Sequence, residues 1–326
     1  MSEGTRQGSV QSGGLQHRAS AQDQRHTAQN AQAAQSTQTM PAPGARTKTD
    51  ADFMGRTVFM SGGSRGIGLA IALKLAQAGA NIALMAKTDQ PHPKLEGTVH
   101  TAAAEIEAAG GRALAIVGDV RDDASLAAAV KQTAAHFGGI DIAVNNASAI
   151  NLLTTEQLPL SRYDLMQDIN VRGSFSLVKH CLPYLCQAAN PHILTLSPPL
   201  ELRPEWFGAH VGYTLSKYGM SLLTLGWSEE LRGDGIAANA LWPRTLIATA
   251  AVQNLLGGEA AMAQSRKPEI IADAAYEILA RPARECTGNF FIDDEVLAAA
   301  GITDLDHYRA APGSGELALD LFVSEA

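Results

Sequence analysis

The sequence predicts an α/β protein: one doubly wound parallel sheet of about seven strands, helices on both faces, and a disordered tail in front. Three observations predict it. From Thr57 to Ile292, short β-branched or apolar runs alternate with longer stretches of helical periodicity. The runs are apolar throughout instead of at every second residue, as strands buried on both faces must be. Glycine and small polar residues collect directly after the runs, at the strand ends where such sheets hold ligands.

Residues 1–53 are rich in Gln, Ala, Ser, Thr and Gly and almost devoid of large apolar side chains. They cannot bury enough surface to offset ordering entropy, so a disordered, low-complexity tail is expected. It has no apolar segment of the secretory kind. Its basic residues Arg6, Arg18, Arg25, Arg46 and Lys48 follow no amphipathic pattern, so a transit peptide is not expected. Met40 and Met54 both precede the first strand, and either is an alternative start.

Composition excludes several classes. A net charge of −8 offers no basic footprint for nucleic acid. No run reaches the ~18 apolar residues of a membrane span. Cys181, Cys186 and Cys286 form no metal-like cluster. They read as buried thiols in a reducing compartment, so a cytoplasmic location is expected.

The first strand, Thr57–Met60, runs into the glycine loop Ser61-Gly62-Gly63-Ser64-Arg65-Gly66-Ile67-Gly68 and a helix over 66–78. Strand, glycine turn and helix together aim backbone N–H groups and a positive helix end at a phosphate. Taken alone, the loop is equally an ordinary turn before a helix. The second strand, Asn81–Met85, is followed by Ala86-Lys87-Thr88. An acid there would bind ribose hydroxyls; Ala86 is none, and Lys87 with Arg65 offers positive charge to a 2′-phosphate instead. A helix over 98–109 leads to the third strand, Ala113–Val117, and to Gly118-Asp119-Val120. Asp119 either accepts from an adenine amino group or caps the helix over 124–137, in competition with Asp122, Asp123 and Ser125.

The fourth strand, Ile140–Val144, ends in Asn145-Asn146-Ala147-Ser148, which is either a close passage past a cofactor or an Asn-rich turn. One long helix is expected over 162–188, apolar on more than one face. The fifth strand, His192–Leu196, is followed by Ser197-Pro198-Pro199 and a loop with Glu201, Trp206, Phe207 and His210. Trp206 and Phe207 are either an apolar substrate wall or packing; His210 is a second acid–base group or merely solvated. The next helix, 213–232, opens Tyr213-Thr214-Leu215-Ser216-Lys217, placing Tyr213 and Lys217 on one face. A phenol titrates near about 10. A neighbouring ammonium lowers that value, giving a group able to exchange a proton with a carbonyl or alcohol. The sixth strand, Ile236–Leu241, a helix over 269–280 and a seventh strand, Asn289–Ile292, complete the alternation. Residues 293–326 read as an extension, with a helical piece at Val296–Ala300, folding over the body or a partner subunit.

Gly62, Gly66 and Gly68, Asn145-Asn146-Ala147, Asn170 within Ile169-Asn170-Val171-Arg172-Gly173, and Tyr213 with Lys217 resemble, in matching order, the classical short-chain dehydrogenases/reductases. Ala86 to Leu95, Ser197 to Leu200, Tyr218 to Ser221, Asn239 to Pro243 and Asn289 to Glu295 look like the hydroxysteroid dehydrogenase-like protein 2 group within them. The resemblance implies a single Rossmann-type catalytic domain over 54–292 and an NADP(H)-dependent carbonyl/alcohol oxidoreductase, with NAD the lesser alternative. It implies Tyr213 as proton donor, Lys217 lowering its pKa and bonding the nicotinamide ribose, and Asn170 holding a relay water. It implies cofactor contacts from Ser61, Gly62, Ser64, Arg65, Gly66, Ile67, Gly68, Lys87, Asp119, Val120, Asn146, Ala147, Tyr213, Lys217, Pro243 and Thr245, with Thr249 a further candidate. Residues 246–256 resemble the family's mobile lid. The helix over 162–188 corresponds to a dimer interface, so a homodimer or homotetramer is expected. Longer members of the group add a sterol-carrier-type lipid-binding domain, which this chain, ending at Ala326, is expected to lack.

Two departures matter. Ser197 aligns with the first residue of a serine pair whose second, substrate-orienting member is replaced by Pro198, and the loop to Tyr213 is longer than usual. Ser197 reaches the substrate only if the prolines bend the chain, since a one-residue offset on a strand turns the side chain over. Arg244 stands where Gly is usual, either crowding the nicotinamide or meeting an acidic group of the substrate. These departures keep a rival reading open: a cofactor-binding sensor or scaffold with little turnover. A lyase or epimerase also uses Tyr and Lys but needs a longer substrate domain. The substrate class implied is a small, lipid-like carbonyl or alcohol.

Overall fold

The computed structural model describes residues 1, 53–91, 97–313 and 315–324. The expected disordered tail falls outside the described residues except at its two ends. So do His92 to Leu95 of the quoted stretch after the second strand. The chain divides into two units, 1–42 and 43–326, and the second carries every element below.

In chain order these are β1 (Thr57–Ser61), α1 (Gly66–Gln77), β2 (Asn81–Ala86), α2 (Val99–Ala108), β3 (Arg112–Val117), α3 (Asp123–Phe137) and β4 (Ile142–Asn145). Then come α4 (Leu160–Met166), α5 (Ser174–Leu185), β5 (His192–Thr195), α6 (Pro204–Gly208), α7 (Val211–Glu230) and β6 (Ala237–Trp242). Last are α8 (Gly258–Ala263), α9 (Glu269–Leu279), β7 (Phe290–Ile292) and α10 (Asp293–Ala299). The seven strands pair in parallel in the order β3-β2-β1-β4-β5-β6-β7. Every residue of β1, β2, β4, β5 and β6 is buried, which is why those runs carry no alternation. One face packs Ile71 and Leu75 of α1, Ile106 of α2 and Ile270 and Ile278 of α9. The other packs Leu126 and Val130 of α3, Leu177 and Cys181 of α5 and Trp227 of α7.

Strand order reverses between β1 and β4. The connections leave in opposite directions there and open a crevice at the strands' carboxyl ends.

Four expectations change. The helix over 162–188 is not continuous: α4 and α5 are joined by a π-helical turn, Gln167–Gly173, that carries Asn170. β4 begins at Ile142 instead of Ile140; Asp141 still bonds its neighbours, its N donating to Thr57 O at 2.9 Å and its O accepting from His192 N at 3.0 Å, while its carboxylate accepts from Thr57 N at 2.8 Å. The connections hold elements that periodicity does not show: α6 before α7, and a π turn, Val252–Leu256, ahead of α8. Cys181 and Cys286 are buried thiols, but Cys186 is exposed; all three are free.

Candidate active site

The crevice is built by side chains that tie β1 to β4. Ser61 Oγ accepts from Asn146 N at 3.3 Å and Ala147 N at 3.2 Å. Asn146 Nδ2 donates to Ser61 O at 3.1 Å and Gly62 O at 2.8 Å. Gly62 has φ +75°, and a Cβ there would lie 2.8 Å from Ala147 Cα, so the chain turns where only glycine fits. At Gly68 a Cβ would meet Asn146 Nδ2 at 2.5 Å. α1 therefore starts directly against the strand ends, its first-turn N–H groups facing the crevice.

On one side of the crevice lies a pocket of about 330 Å³. It is lined by Gly62, Ser64 and Arg65, by Ala86 to Thr88 after β2, by Gly118 to Val120 after β3, and by Asn146 to Ser148. Asp119 does not cap α3: Asp122 does, accepting from Ala124 N at 3.0 Å and Ser125 N at 3.2 Å. Asp119 instead takes a two-pronged hydrogen bond from Arg121, at 2.6 Å to Nη2, with Lys87 Nζ 3.4 Å away. That Arg121 bond, and then the Lys87 charge, holds its carboxyl down at about 2. Arg65 Nη2 donates to Gly97 O at 2.6 Å. A larger cleft of about 1250 Å³ adjoins; it runs from Arg65, Gly66, Ile67 and Gly68 along α1 and is faced by Thr249 to Ala251.

Tyr213, Lys217, Ser197, Pro243 and Thr245 line neither cleft. All five are buried, with Tyr213 only 5% exposed. Tyr213 and Lys217 sit one turn apart near the start of α7, which begins at Val211. Lys217 Nζ donates to Leu196 O at 2.7 Å and lies 4.9 Å over the Trp242 ring. Burial pulls the lysine down to about 7, the Asp320 carboxylate opposing. Burial, with the Asp320 charge adding, pushes the Tyr213 phenol above its ordinary value. Desolvation dominates the phenol in this arrangement.

The cover is the 317–324 segment, which composition did not mark as part of the site. Phe322 stacks on Tyr213, and Trp242 Nε1 donates to Leu321 O at 2.7 Å. Arg244 does not face the crevice in either expected sense. It pairs with Asp294, at 3.2 Å, and with Glu295, and Nη1 donates to Ser324 O at 3.3 Å. An oppositely charged pair at the start of α10 was available in the same chain.

Asn170 Oδ1 accepts from Ala149 N at 2.7 Å, and Nδ2 donates to Ala149 O and Ser216 Oγ, each at 2.9 Å. Its side chain thus pins the loop after β4 to α7; no hydrogen bond joins it to Lys217 among the described residues. His210 is not simply solvated, since Nδ1 meets Leu152 O at 2.8 Å. Trp206 and Phe207 pack with Tyr218 and Phe322 in one apolar cluster, with Phe207 4.8 Å from Tyr218. Among the described residues no group of acids, histidines and cysteines is placed to hold a metal, and no helix is long and apolar enough to cross a membrane.

Residues 56–259 match the family model for short chain dehydrogenase. The chain belongs to that family. It is 56% identical over 259 residues to hydroxysteroid dehydrogenase-like protein 2 of Danio rerio, covering 79% of this chain and 62% of that protein. The Homo sapiens protein of the same name is 54% identical over 271 residues, covering 83% of this chain and 64% of its own length. The chain thus spans less than two thirds of these relatives. A short chain dehydrogenase from Mycobacterium thermoresistibile is 58% identical with TM-score 0.79, covering 83% of this chain and 96% of that one. A blue fluorescent protein from a metagenomic library, solved with NADPH, is 27% identical with TM-score 0.63, covering 73% and 96%.

Short-chain dehydrogenases are oxidoreductases that use NAD(P), and this crevice fits such a dinucleotide. At Gly62 and Gly68 no side chain stands between the backbone and the crevice, so a pyrophosphate can approach the start of α1 closely. Ser197 Oγ and Thr245 Oγ1 are buried hydroxyls without a partner. Orphaned buried polar groups are costly, and a bound ligand is one way of satisfying them.

Proposed function

We propose that the protein is an NADP(H)-dependent oxidoreductase interconverting a carbonyl and an alcohol, with Tyr213 as acid–base group assisted by Lys217, Asn170 and Ser197. The observation that carries it is Tyr213 and Lys217 buried one turn apart on α7, in a chain whose Ser197 and Thr245 hydroxyls lack partners. Pro243 and Thr245 would hold a nicotinamide, which would supply or take the hydride when bound. The chain's own part is the proton. Tyr213 Oη gives it to a carbonyl oxygen or takes it from an alcohol, and the Lys217 ammonium favours the phenolate left behind. Ser197 Oγ is free to bond the substrate oxygen. Asn170 holds Ala149 and Ser216, so it keeps the helix turn between Tyr213 and Lys217 in register with the loop after β4.

NADP is favoured over NAD. Lys87 and Arg65 border the smaller pocket, and Ala86 supplies no carboxylate for a ribose hydroxyl. Asp119 is shared between Arg121 and Lys87, which leaves Lys87 charge for a 2′-phosphate. The proposed organisation is a catalytic domain over 54–292 and an extension over 293–326. Exposed Leu215, Leu222 and Leu225 on α7 and Phe175 on α5 support a homodimer or homotetramer. A cytoplasmic location accords with the free thiols.

One observation favours the alternative, an NADP-binding sensor with little turnover: Phe322 covers the phenol. NADPH consumption against aldehydes, ketones and 3-oxoacyl thioesters separates the two. Turnover of at least one class is expected, falling more than about a hundredfold in Tyr213→Phe with NADPH affinity held. Equal activity in that variant refutes the mechanism.

A further inference from the structure

Phe322 is the single described non-glycine residue with a positive φ, +69°. A bulky side chain there is strained, so something must hold it. Its ring is 2% exposed and contacts three aromatic rings: Tyr213 at 6.0 Å, Tyr218 at 5.7 Å and Trp242 at 6.0 Å. Burial of the ring is the compensation. The backbone around it is held by hydrogen bonds to loops and side chains of the body. Its bonds to the body are Leu246 N to Ala318 O at 2.9 Å, Ala318 N to Gln264 O at 3.0 Å, Asp320 N to Arg244 O at 3.0 Å, the Trp242 bond to Leu321 O, and the Arg244 bond to Ser324 O. No helix and no strand of the sheet passes through it.

With this ring stacked on its own and 5% of the residue exposed, Tyr213 presents little surface to a substrate. What replaces the ring enters a cluster lined by Met166, Leu158, Ile150, Trp206 and Phe207, with the phenol as its polar handle. We propose that Phe322 is a specificity-determining residue standing in the substrate's place, and that the substrate is an apolar carbonyl compound with a ring or long chain that displaces Phe322 from Tyr213. This rests on the reading of Tyr213 as the acid–base group. A small or strongly polar carbonyl cannot fill the vacated apolar space and leaves the cover closed. Opening also returns water to the phenol, which relieves the desolvation that raises its pKa.

The test uses the full chain, as wild type and as Phe322→Gly. Glycine removes the ring and accepts the positive φ, so the path of the segment is preserved. With N-acetylimidazole, and modification located by peptide mass spectrometry, Tyr213 should react several-fold faster in the variant. Equal protection in both proteins overturns the proposal and leaves the oxidoreductase reading untouched. In NADPH oxidation with aldehydes from propanal to a naphthaldehyde, kcat/KM of the variant should rise about tenfold for the largest members, because the closed state no longer taxes binding. A uniform fall across the series overturns the proposal. Should neither protein turn over any carbonyl while the acetylation difference persists, the oxidoreductase reading fails and the substrate assignment with it, but not the cover. A measurement on the wild type alone guards against misfolding. Decanal added with NADP should speed amide hydrogen exchange across 318–323, and unchanged exchange overturns displacement.

Discussion

Phe322 lies against Tyr213 with ring centroids 6.0 Å apart and 29° between the planes. The contact removes from water the one phenol with a lysine a helical turn away, and it brings the Asp320 carboxyl in beneath the same cover. Tyr213 and Lys217 are buried and Asp320 is half-buried beside them, and desolvation drives each of the three toward its neutral form.

Asp320 makes this measurable. Burial pushes its carboxyl up to about 7, the Asp293 charge adding and Lys217 opposing. In the unfolded chain it titrates near about 4. Between these values the fold holds a proton the unfolded chain has lost, so stability declines as pH rises through the window from about 4 to about 7. Asp320→Asn abolishes that decline. Its melting temperature should gain on wild type steadily across the window and then level off; a constant offset at every pH counts against the assignment.

Arg244 ties the cover to α10 through Asp294, Glu295 and Ser324 O. Arg244→Ala leaves Asp294 to the more distant Arg266, 3.9 Å away, and removes the bond to Ser324 O, at a cost of roughly 1–3 kcal/mol. Urea denaturation reads the loss. Lys restores only part of it, because an ammonium cannot serve the three acceptors in the guanidinium's geometry.

At Gly68 an added methyl has nowhere to go, with Asn146 Nδ2 at 2.5 Å and Gly62 O at 2.9 Å. Gly68→Ala must push α1 off the strand ends, which costs about 1–3 kcal/mol of stability and weakens NADPH binding more than tenfold. Fluorescence titration of NADPH checks the second effect; binding within twofold of wild type would show that the close packing of α1 is dispensable.

Ala86→Asp combined with Lys87→Ala puts a carboxylate at the end of β2, where the proposed cofactor's ribose would lie, and removes the cation. The ratio of NAD to NADP dissociation constants should move at least about tenfold toward NAD, equivalent to 1.4 kcal/mol. No movement removes Lys87 from the 2′-phosphate.

The sheet is readable in the sequence because parallel strands covered on both faces must be apolar at consecutive positions, and Asn81–Ala86 or Ala237–Trp242 can be little else. Loops after those strands are readable because glycine and short amides mark close approach. The π turn at 167–173 is not, since helical periodicity continues on both of its sides. Arg244 is not readable because its carboxylates lie fifty and fifty-one positions downstream. Phe322 is not readable either: the Asp320 to Ser324 stretch shows no period, and the strain at its centre exists only in the folded backbone.

The π turn carries a further consequence. It inserts one residue into what is otherwise a regular helix, and such turns are rare, occurring mostly as single-turn bulges inside α-helices. Deleting a single residue between Gln167 and Gly173 would restore an unbroken ladder and improve the helix as a helix. It would also rotate Asn170 by about 100° about the axis, away from Ala149 and Ser216. The extra residue thus trades helix regularity for the tie that Asn170 makes between the loop after β4 and α7.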